Sequence, residues 1–464
     1  MRRTTTFAIG MLLFCAVVIH VQATTITVTN ISDSGPGSLR QALVDANDGD
    51  IINFAVTGTI SLTSGELLVD KSVTISGSGT GTLAVDGDFT SRVLHIASGK
   101  TVSISGLTLT NGSAGSENGG EILNDHAILT MDSCAVRNSG DSSRGGGIYN
   151  DGSAGSGALT ILNSTVSLNG ASYAGGGIYN DADNGGNATL TIMNSTIDGN
   201  TAAYNDIPFG GGEGGGIYNS GGMMTITNSS VSDNSAGLSG PNFPTGAGGG
   251  ISNYGTLTIT NSTISSNNCF LFAGGIYNHG TLTITNSTVS GNSAVGQHDG
   301  QPWGHGGGIV GEVTFTNSTL SNNYSNLSAG GIEGSGAIGN TILNYNSGAN
   351  IVGTMTSLGY NLSSDDGGGN LTGPGDQINT DPMIGPLQNN GGPTLTHALL
   401  PGSAAVNAGD PNFTPPPFYD QRGSPFVRLF NGRIDIGAFE VQPLHRATPA
   451  PRSRPTPVPR PTPR

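Results

Sequence analysis

A short unit recurs through the middle of the chain, and its spacing leaves few folds open. LTILNSTVSLN (Leu159 to Asn169) returns as LTIMNSTIDGN (Leu190 to Asn200), MTITNSSVSDN (Met224 to Asn234) and LTITNSTISSN (Leu257 to Asn267). It returns again as LTITNSTVSGN (Leu282 to Asn292) and VTFTNSTLSNN (Val313 to Asn323), with a weaker copy from Ala337 to Asn346. VSISGLTLTNG (Val102 to Gly112) and LTMDSCAVRNS (Leu129 to Ser139) keep the apolar positions and lose the first Asn. A second block, GGGIYN or a close variant, lies between the copies, as at Gly145–Asn150, Gly175–Asn180 and Gly214–Asn219. Successive NST asparagines stand 25 to 34 residues apart.

The period inside each unit is two. In LTIT the Leu and Ile share one side and the Thr residues the other, which is strand alternation. Helical rows at i, i+3 and i+4 are absent. One unit cannot bury its apolar side alone, but stacked units can. The expected fold is therefore all-β, a single-stranded parallel β-helix of about ten coils, on the order of 50 Å long at ~4.8 Å per coil. Asn tolerates the left-handed backbone of the bends and can form coil-to-coil ladders. The Gly pair before Ile allows positive φ and close backbone approach.

The ends differ from the middle. Residues 1–23 begin Met1-Arg2-Arg3, continue through an apolar stretch from Phe7 to Val21 and finish Val21-Gln22-Ala23. That pattern is a signal peptide, too short to span a bilayer. No later stretch reads as a membrane span, so the mature protein is expected outside the cell or on its surface. Residues 24–101 form an N-terminal cap and the first irregular coils, with SLRQALVDAN as a helix capped by Ser38. Residues 102–350 carry the repeats. Residues 351–440 read as a C-terminal cap, and residues 441–464 as a Pro/Arg-rich extended tail.

Charge narrows the partners. The chain has 16 basic and 31 acidic residues. Cleavage removes two arginines, and five more lie after Glu440, which leaves nine bases against 31 acids in the body. Such a body repels nucleic acid and anionic membranes. A polysaccharide or surface protein is the expected partner, with no cofactor required and calcium admissible. Only 10% of residues are charged, so Thr, Ser, Asn and Gly must make the surface. The mature chain keeps Cys134 and Cys269, several coils apart, and these are expected as free thiols. The chain is expected to be a monomer.

Two segments carry a family resemblance. GPGSLRQALVDAN with DIINF resembles the opening segment of bacterial surface β-helix proteins. SLGYNLSSDD, TGPGDQINTDPMIGPLQNNGGPTLTHALLPGSAAVNAG, DQRG and DIGAFE resemble the choice-of-anchor Q domain. The GGGIYN and NST repeats resemble those of polymorphic outer-membrane proteins and, more loosely, the pectate-lyase-like superfamily. The resemblance implies a right-handed parallel β-helix on or outside a bacterial surface. The Pro/Arg tail stands where an anchor is expected, which points to release or to retention by charge at an acidic surface.

No catalytic constellation emerges from the repeats. Asp198 and Asp233 occupy neighbouring units one residue out of phase, and Arg137, Arg144, Asp132 and Asp141 form a second charged group. Both read as solvated surface. Coil length varies between NSTxxxN and GGGI, so the insertions should project from one side. They carry Tyr204, Phe209, Phe243, Phe270, Phe272 and Trp303, the candidate ligand-binding aromatics. His298, Asp299 and His305 are candidate metal ligands that read better as loop surface. The leading expectation is a non-catalytic, adhesin-like scaffold. The alternatives are a polysaccharide lyase or glycoside hydrolase of the pectate-lyase-like type and, last, ice binding through the T-x-T pairs of Thr225/Thr227, Thr258/Thr260, Thr283/Thr285 and Thr314/Thr316.

Overall fold

The computed structural model describes residues 23–140, 142–203, 212–237 and 246–442. The chain is a parallel β-helix. Strands of the GGGIYN and LTIT blocks belong to one 21-stranded sheet, the NST strands to a 12-stranded sheet, and two-residue strands from Gly170–Ala171 to Tyr324–Ser325 to a six-stranded one. The 12-stranded sheet gives the coil count. Nine of its strands fall within residues 102–350; the irregular first coils add Gly58–Ser61 and Leu83–Asp86, and Leu362–Ser363 adds the last.

The alternation sets the core. Leu159, Leu190, Met224, Leu257 and Leu282 align coil on coil, with Ile161, Ile192, Ile226, Ile259 and Ile284 two residues on. All are buried, and so is the Ile of each GGGI block. Fully burying one such side chain contributes ~1.5–3 kcal/mol, which sustains a rod without a disulfide. Cys134 and Cys269 are buried free thiols on separate coils, and burial pushes the Cys269 thiol up to about 12. Neither should react with a disulfide reagent in the native protein, and both should react at once in denaturant; fast native labelling would show that the coils open.

The asparagines divide their work. The first Asn of NSTxxxN takes the left-handed bend, as at Asn194 (φ 50°) and Asn228 (φ 50°). The second forms a buried ladder from Asn169 through Asn200, Asn234, Asn267, Asn292 and Asn323 to Asn346, each Nδ2 donating to the next Oδ1 at 2.9 Å. The bend there falls on the preceding residue, such as Asp233 (φ 53°). The Asn of IYN makes another ladder, Asn124–Asn150–Asn180–Asn219–Asn253–Asn278, at 2.7 Å. The glycines divide theirs too. Gly175 supplies positive φ (64°), whereas a Cβ on Gly177 would sit 3.0 Å from Asn200 Cγ and 2.7 Å from Gly216 O.

The N-terminal helix runs Leu39–Asp45, with the Ser38 hydroxyl accepting from Gln41 N and Leu39, Ala42 and Leu43 buried. Arg40 ties it to the first coils through the carbonyls of Gly65 and Glu66.

The C-terminal segment does more than close an end: it lies along the 12-stranded sheet. Gln421, fully buried, donates to Ser262 O and Thr263 Oγ1 and accepts from Thr288 Oγ1. His397 bonds Ser290, Ala438 N donates to Thr319, and Asn340 donates to Asp435 O. DQRG and DIGAFE are thus docking elements. Arg422 pairs with Asp420 and lies 3.7 Å from the ring centroids of both Phe426 and Phe439. The segment therefore contacts that side of the rod from Thr263 to Asn340.

Candidate functional site

The outward positions of the GGGIYN strands carry the chemistry. Parallel register places His95, Leu123, Tyr149, Tyr179, Tyr218, Ser252, Tyr277, Val310 and Glu333 in one column. Asp125, Asp151 and Asp181 form a second column two residues on. Arg144, Ala174, Glu213, Ala247, Phe272 and His305 form a third, where each insertion rejoins the rod. The insertions do return at one phase, so these columns share a face.

The tyrosines stack along the rod. Tyr149, Tyr179 and Tyr218 lie with centroids 5.2 and 4.8 Å apart and planes within 20°. Ser252 breaks the column, and Tyr254 fills the gap at 5.4 Å from Tyr218. Stacking consumes the ring faces, so the upper part of the ladder offers edges and hydroxyls and not a platform for a sugar ring. Burial raises the pKa of Tyr149, Tyr218 and Tyr254 and takes Tyr179 up to about 12. Tyr149 donates to Asp181 and Tyr254 to Glu213; burial also raises the Glu213 carboxyl.

The ladder runs into a groove of about 620 Å³ lined by Phe272, Tyr277, His279, Glu312, Glu333 and a floor of glycines. Three successive coils cross here as long strands, Ile309–Thr316, Ile332–Gly339 and Ile351–Gly359. Gly311, Gly334 and Gly353 follow Asn278 in its column, and each approaches the backbone of the coil before it too closely for a Cβ. The floor is consequently bare. Phe272 stacks on Tyr277 at 5.7 Å and tilts onto His305 at 5.4 Å. His305 Nδ1 lies 3.1 Å from Glu333 Oε1, and His279 bonds the Tyr277 hydroxyl. Among the described residues lining the groove, none is Lys or Arg.

At the other end of the face lies a polar cluster. Arg92 pairs with Glu66, whose Oε1 lies 3.2 Å from His95 Nδ1. His95 Nε2 is 3.7 Å from Asp125 Oδ2, and His126 Nδ1 is 2.5 Å from Asp125 Oδ1. His126 Nε2 lies 2.7 Å from Ser153 O and 3.7 Å from Asp151 Oδ1. Glu66 holds His95 above the ordinary imidazole value, and Asp125 does the same for His126.

Of the aromatics picked out from the sequence, Tyr204, Phe209 and Phe243 lie outside the described residues. Phe272 lines the groove, Phe270 is half-buried beside Gly296, and Trp303 is exposed on the 293–305 insertion. The charged group around Arg137 is not one cluster. Arg137 lies on the 12-stranded sheet, Arg144 sits over the Tyr179 ring, and Asp132 accepts from Asn163; Asp141 is outside the described residues. Asp198 accepts from Ser232, and burial and then Asp198 raise the Asp233 carboxyl. His305 pairs with Glu333 and stacks on Phe272 in the groove; the His298 side chain lies outside the described residues. The T-x-T pairs stand in register from Thr225/Thr227 to Thr314/Thr316, and Met193 and Leu162 end the outer column.

The sequence reading, which finds no catalytic constellation in the repeats, passes over the position after IYN. Asp125, Asp151 and Asp181 recur there in three successive coils, and Tyr149, Tyr179 and Tyr218 recur two places earlier. Aligning the second block as closely as the first exposes both columns.

No family model matches the chain, and no curated protein matches it. Among solved structures, the pectate lyase Pel9A is similar at 15% identity, covering 91% of this chain and 98% of that one, with a TM-score of 0.45. A PL6 family alginate lyase, AlyGC in an arginine-to-alanine mutant, is similar at 14% identity and a TM-score of 0.43. That match covers 80% of this chain and 55% of the alginate lyase, so it extends over little more than half of that enzyme. At these values the likeness stops at the course of the chain. The fold itself rests on the strand registers.

Proposed function

We propose that this chain is an exported, non-catalytic β-helix that binds an extended polysaccharide along its tyrosine face, with the Phe272–Glu333 groove as the main contact. One observation carries the reading: a bare glycine floor is lined by the aromatic rings of Phe272 and Tyr277 together with the carboxylates of Glu312 and Glu333. Sugar rings present apolar faces and hydroxyl edges, and this groove offers partners for both. Substituting Phe272 or Tyr277 by Ala should weaken binding to the selected glycan at least tenfold. Affinity electrophoresis against a panel of soluble polymers measures this, and unchanged mobility shifts would remove the groove from the account.

Charge sets the expected class of polymer. Glu312 and Glu333 face the groove without a lining Lys or Arg. Like charges ~4 Å apart repel by ~1 kcal/mol even in water. A neutral or amino-bearing glycan should therefore bind better than a polyuronate. Export is supported by the leader pattern of residues 1–23, and no helix among the described residues is long and apolar enough to cross a membrane. The resemblance of residues 351–440 to the choice-of-anchor Q domain belongs to the same proposal and is consistent with a cell-surface role.

A second reading is a polysaccharide lyase or hydrolase. The pairing of Glu333 with His305, and the presence of Glu312 and His279 in the same groove, supplies acid–base groups for it. New unsaturated or reducing ends from a polymer that binds would favour this reading over the first.

A further inference from the structure

We infer that His95, Asp125, His126 and Asp151 form a binding site for a divalent transition-metal ion of the zinc type. These side chains come from three successive coils and meet on one face. Ligand atoms of Asp125, His126 and Asp151 lie within 4.8 Å of one another, and all three residues are half-buried. His95 adjoins that set through Asp125, with Nε2 3.7 Å from Asp125 Oδ2, and joins it once the imidazole moves toward His126 and Asp151.

His95 makes the case. Its Nδ1 faces Glu66 at 3.2 Å, and Arg92 pairs with that carboxylate in turn. Its Nε2 is shielded from solvent and has no hydrogen-bond partner. A carboxylate on one imidazole nitrogen, fixing the ring so that the other nitrogen meets an ion, is the usual arrangement around a metal-bound histidine. The gap has the right size: two ligand atoms each ~2.0–2.1 Å from a tetrahedral ion lie roughly 3.4 Å apart. The 3.7 Å separations at His95–Asp125 and His126–Asp151 need to close by only a few tenths of an ångström. His126 must leave Ser153 O to contribute Nε2, whereas Ser153 N and Oγ already orient the Asp151 carboxylate.

Two imidazoles and two carboxylates also select the ion. Zinc, nickel and cobalt accept such mixed nitrogen and oxygen sets. Calcium takes six to eight oxygens, and the cluster offers two carboxylates and one carbonyl. The site lies apart from the proposed glycan groove and stands or falls independently of it.

Isothermal titration of the full, chelator-treated chain with zinc chloride, and separately with calcium chloride, tests the inference. One zinc ion per chain is expected, with no calcium heat at the same concentrations and a zinc-dependent rise in melting temperature. His95→Gln and Asp125→Asn should each lower zinc affinity at least tenfold while leaving the metal-free circular dichroism unchanged. His279→Ala and His305→Ala, which remove imidazoles elsewhere on the face, should retain the ion. No zinc binding, zinc binding unaffected at His95 and Asp125, or tighter calcium than zinc binding would each overturn it.

Discussion

Replacing Asn234 by Ala is expected to destabilise the rod by about 3–5 kcal/mol. Asn234 Oδ1 accepts from both the backbone N and the Nδ2 of Asn200, and its Nδ2 donates to Asn267 Oδ1 and Ile197 O. The methyl leaves those groups buried without it, at ~1–3 kcal/mol for each one orphaned. These groups are shielded from solvent, because Asn200, Asn234 and Asn267 are fully buried. Asn228→Ala makes the comparison. Its amide reaches Asn194 at a loose 3.3 Å on the exterior, and the loss is mainly that of a left-handed residue (φ 50°), about 1–2 kcal/mol. Denaturant midpoints of the two variants separate the roles. Equal losses would mean that the interior ladder contributes no more than one exterior bend. In a stack stabilised by nearest neighbours, the Asn234 defect should also split the unfolding transition.

The second large effect concerns Glu121. It occupies the position held by Gly147 and Gly177 in the next coils, in a block that reads GGEI and not GGGI. The reason lies in the ladder. The position of Asn169 is Ser139 in the preceding coil and Gly112 in the one before that, neither long enough to continue the amide row. Glu121 bends into the vacancy, and its Oε1 accepts from Gly112 N at 2.8 Å. Burial pushes its pKa up to about 8, so near neutrality the folded chain holds it protonated, as a substitute for an amide.

The linkage follows. A carboxyl raised in the folded state binds a proton that the unfolded chain has released, so stability falls as pH rises from about 4.5 to about 8 and is level above that. Glu440, also pushed up to about 8 by burial, adds to the same slope. Glu121→Gln keeps the acceptor without the ionisation. It should be nearly neutral at pH 5 and stabilise by a few kcal/mol at pH 8, since each tenfold change in proton affinity between the folded and unfolded chain corresponds to ~1.4 kcal/mol. Guanidinium midpoints at both pH values decide it, and a variant that tracks the wild type at pH 8 would show that the fold does not raise the Glu121 carboxyl.

The coil architecture was legible because stacking turns periodicity into contact. Once LTIT and NST recur, identical residues must meet, and Leu190 on Leu159 follows directly. The helix at Leu39–Asp45 was legible from Ser38 and its apolar face. The path of the C-terminal segment was not. Gln421 reaches Thr263 and Thr288, more than 130 residues away, through ordinary side-chain hydrogen bonds that no local pattern encodes. The site was half legible. Phe272, singled out as a loop aromatic, lines the groove, but its partner Tyr277 lies in a strand whose repeat reads as structural. Asp125, Asp151 and Asp181 were hidden because each coil sets only one acid at that position, and the three meet only after stacking. Glu121 was hidden differently, as a single departure from a glycine column whose meaning depends on a gap in another column.

The most direct measurement of the functional claim is a crystal structure of the chain soaked with a neutral oligosaccharide that it binds in solution. The account expects intact sugar rings over Gly311, Gly334 and Gly353, with Phe272 or Tyr277 on one side and Glu312 or Glu333 hydrogen-bonded to hydroxyls. Sugar bound elsewhere, as in the hollow beside Tyr345 and Met383, or a cleaved product in the groove, would contradict it.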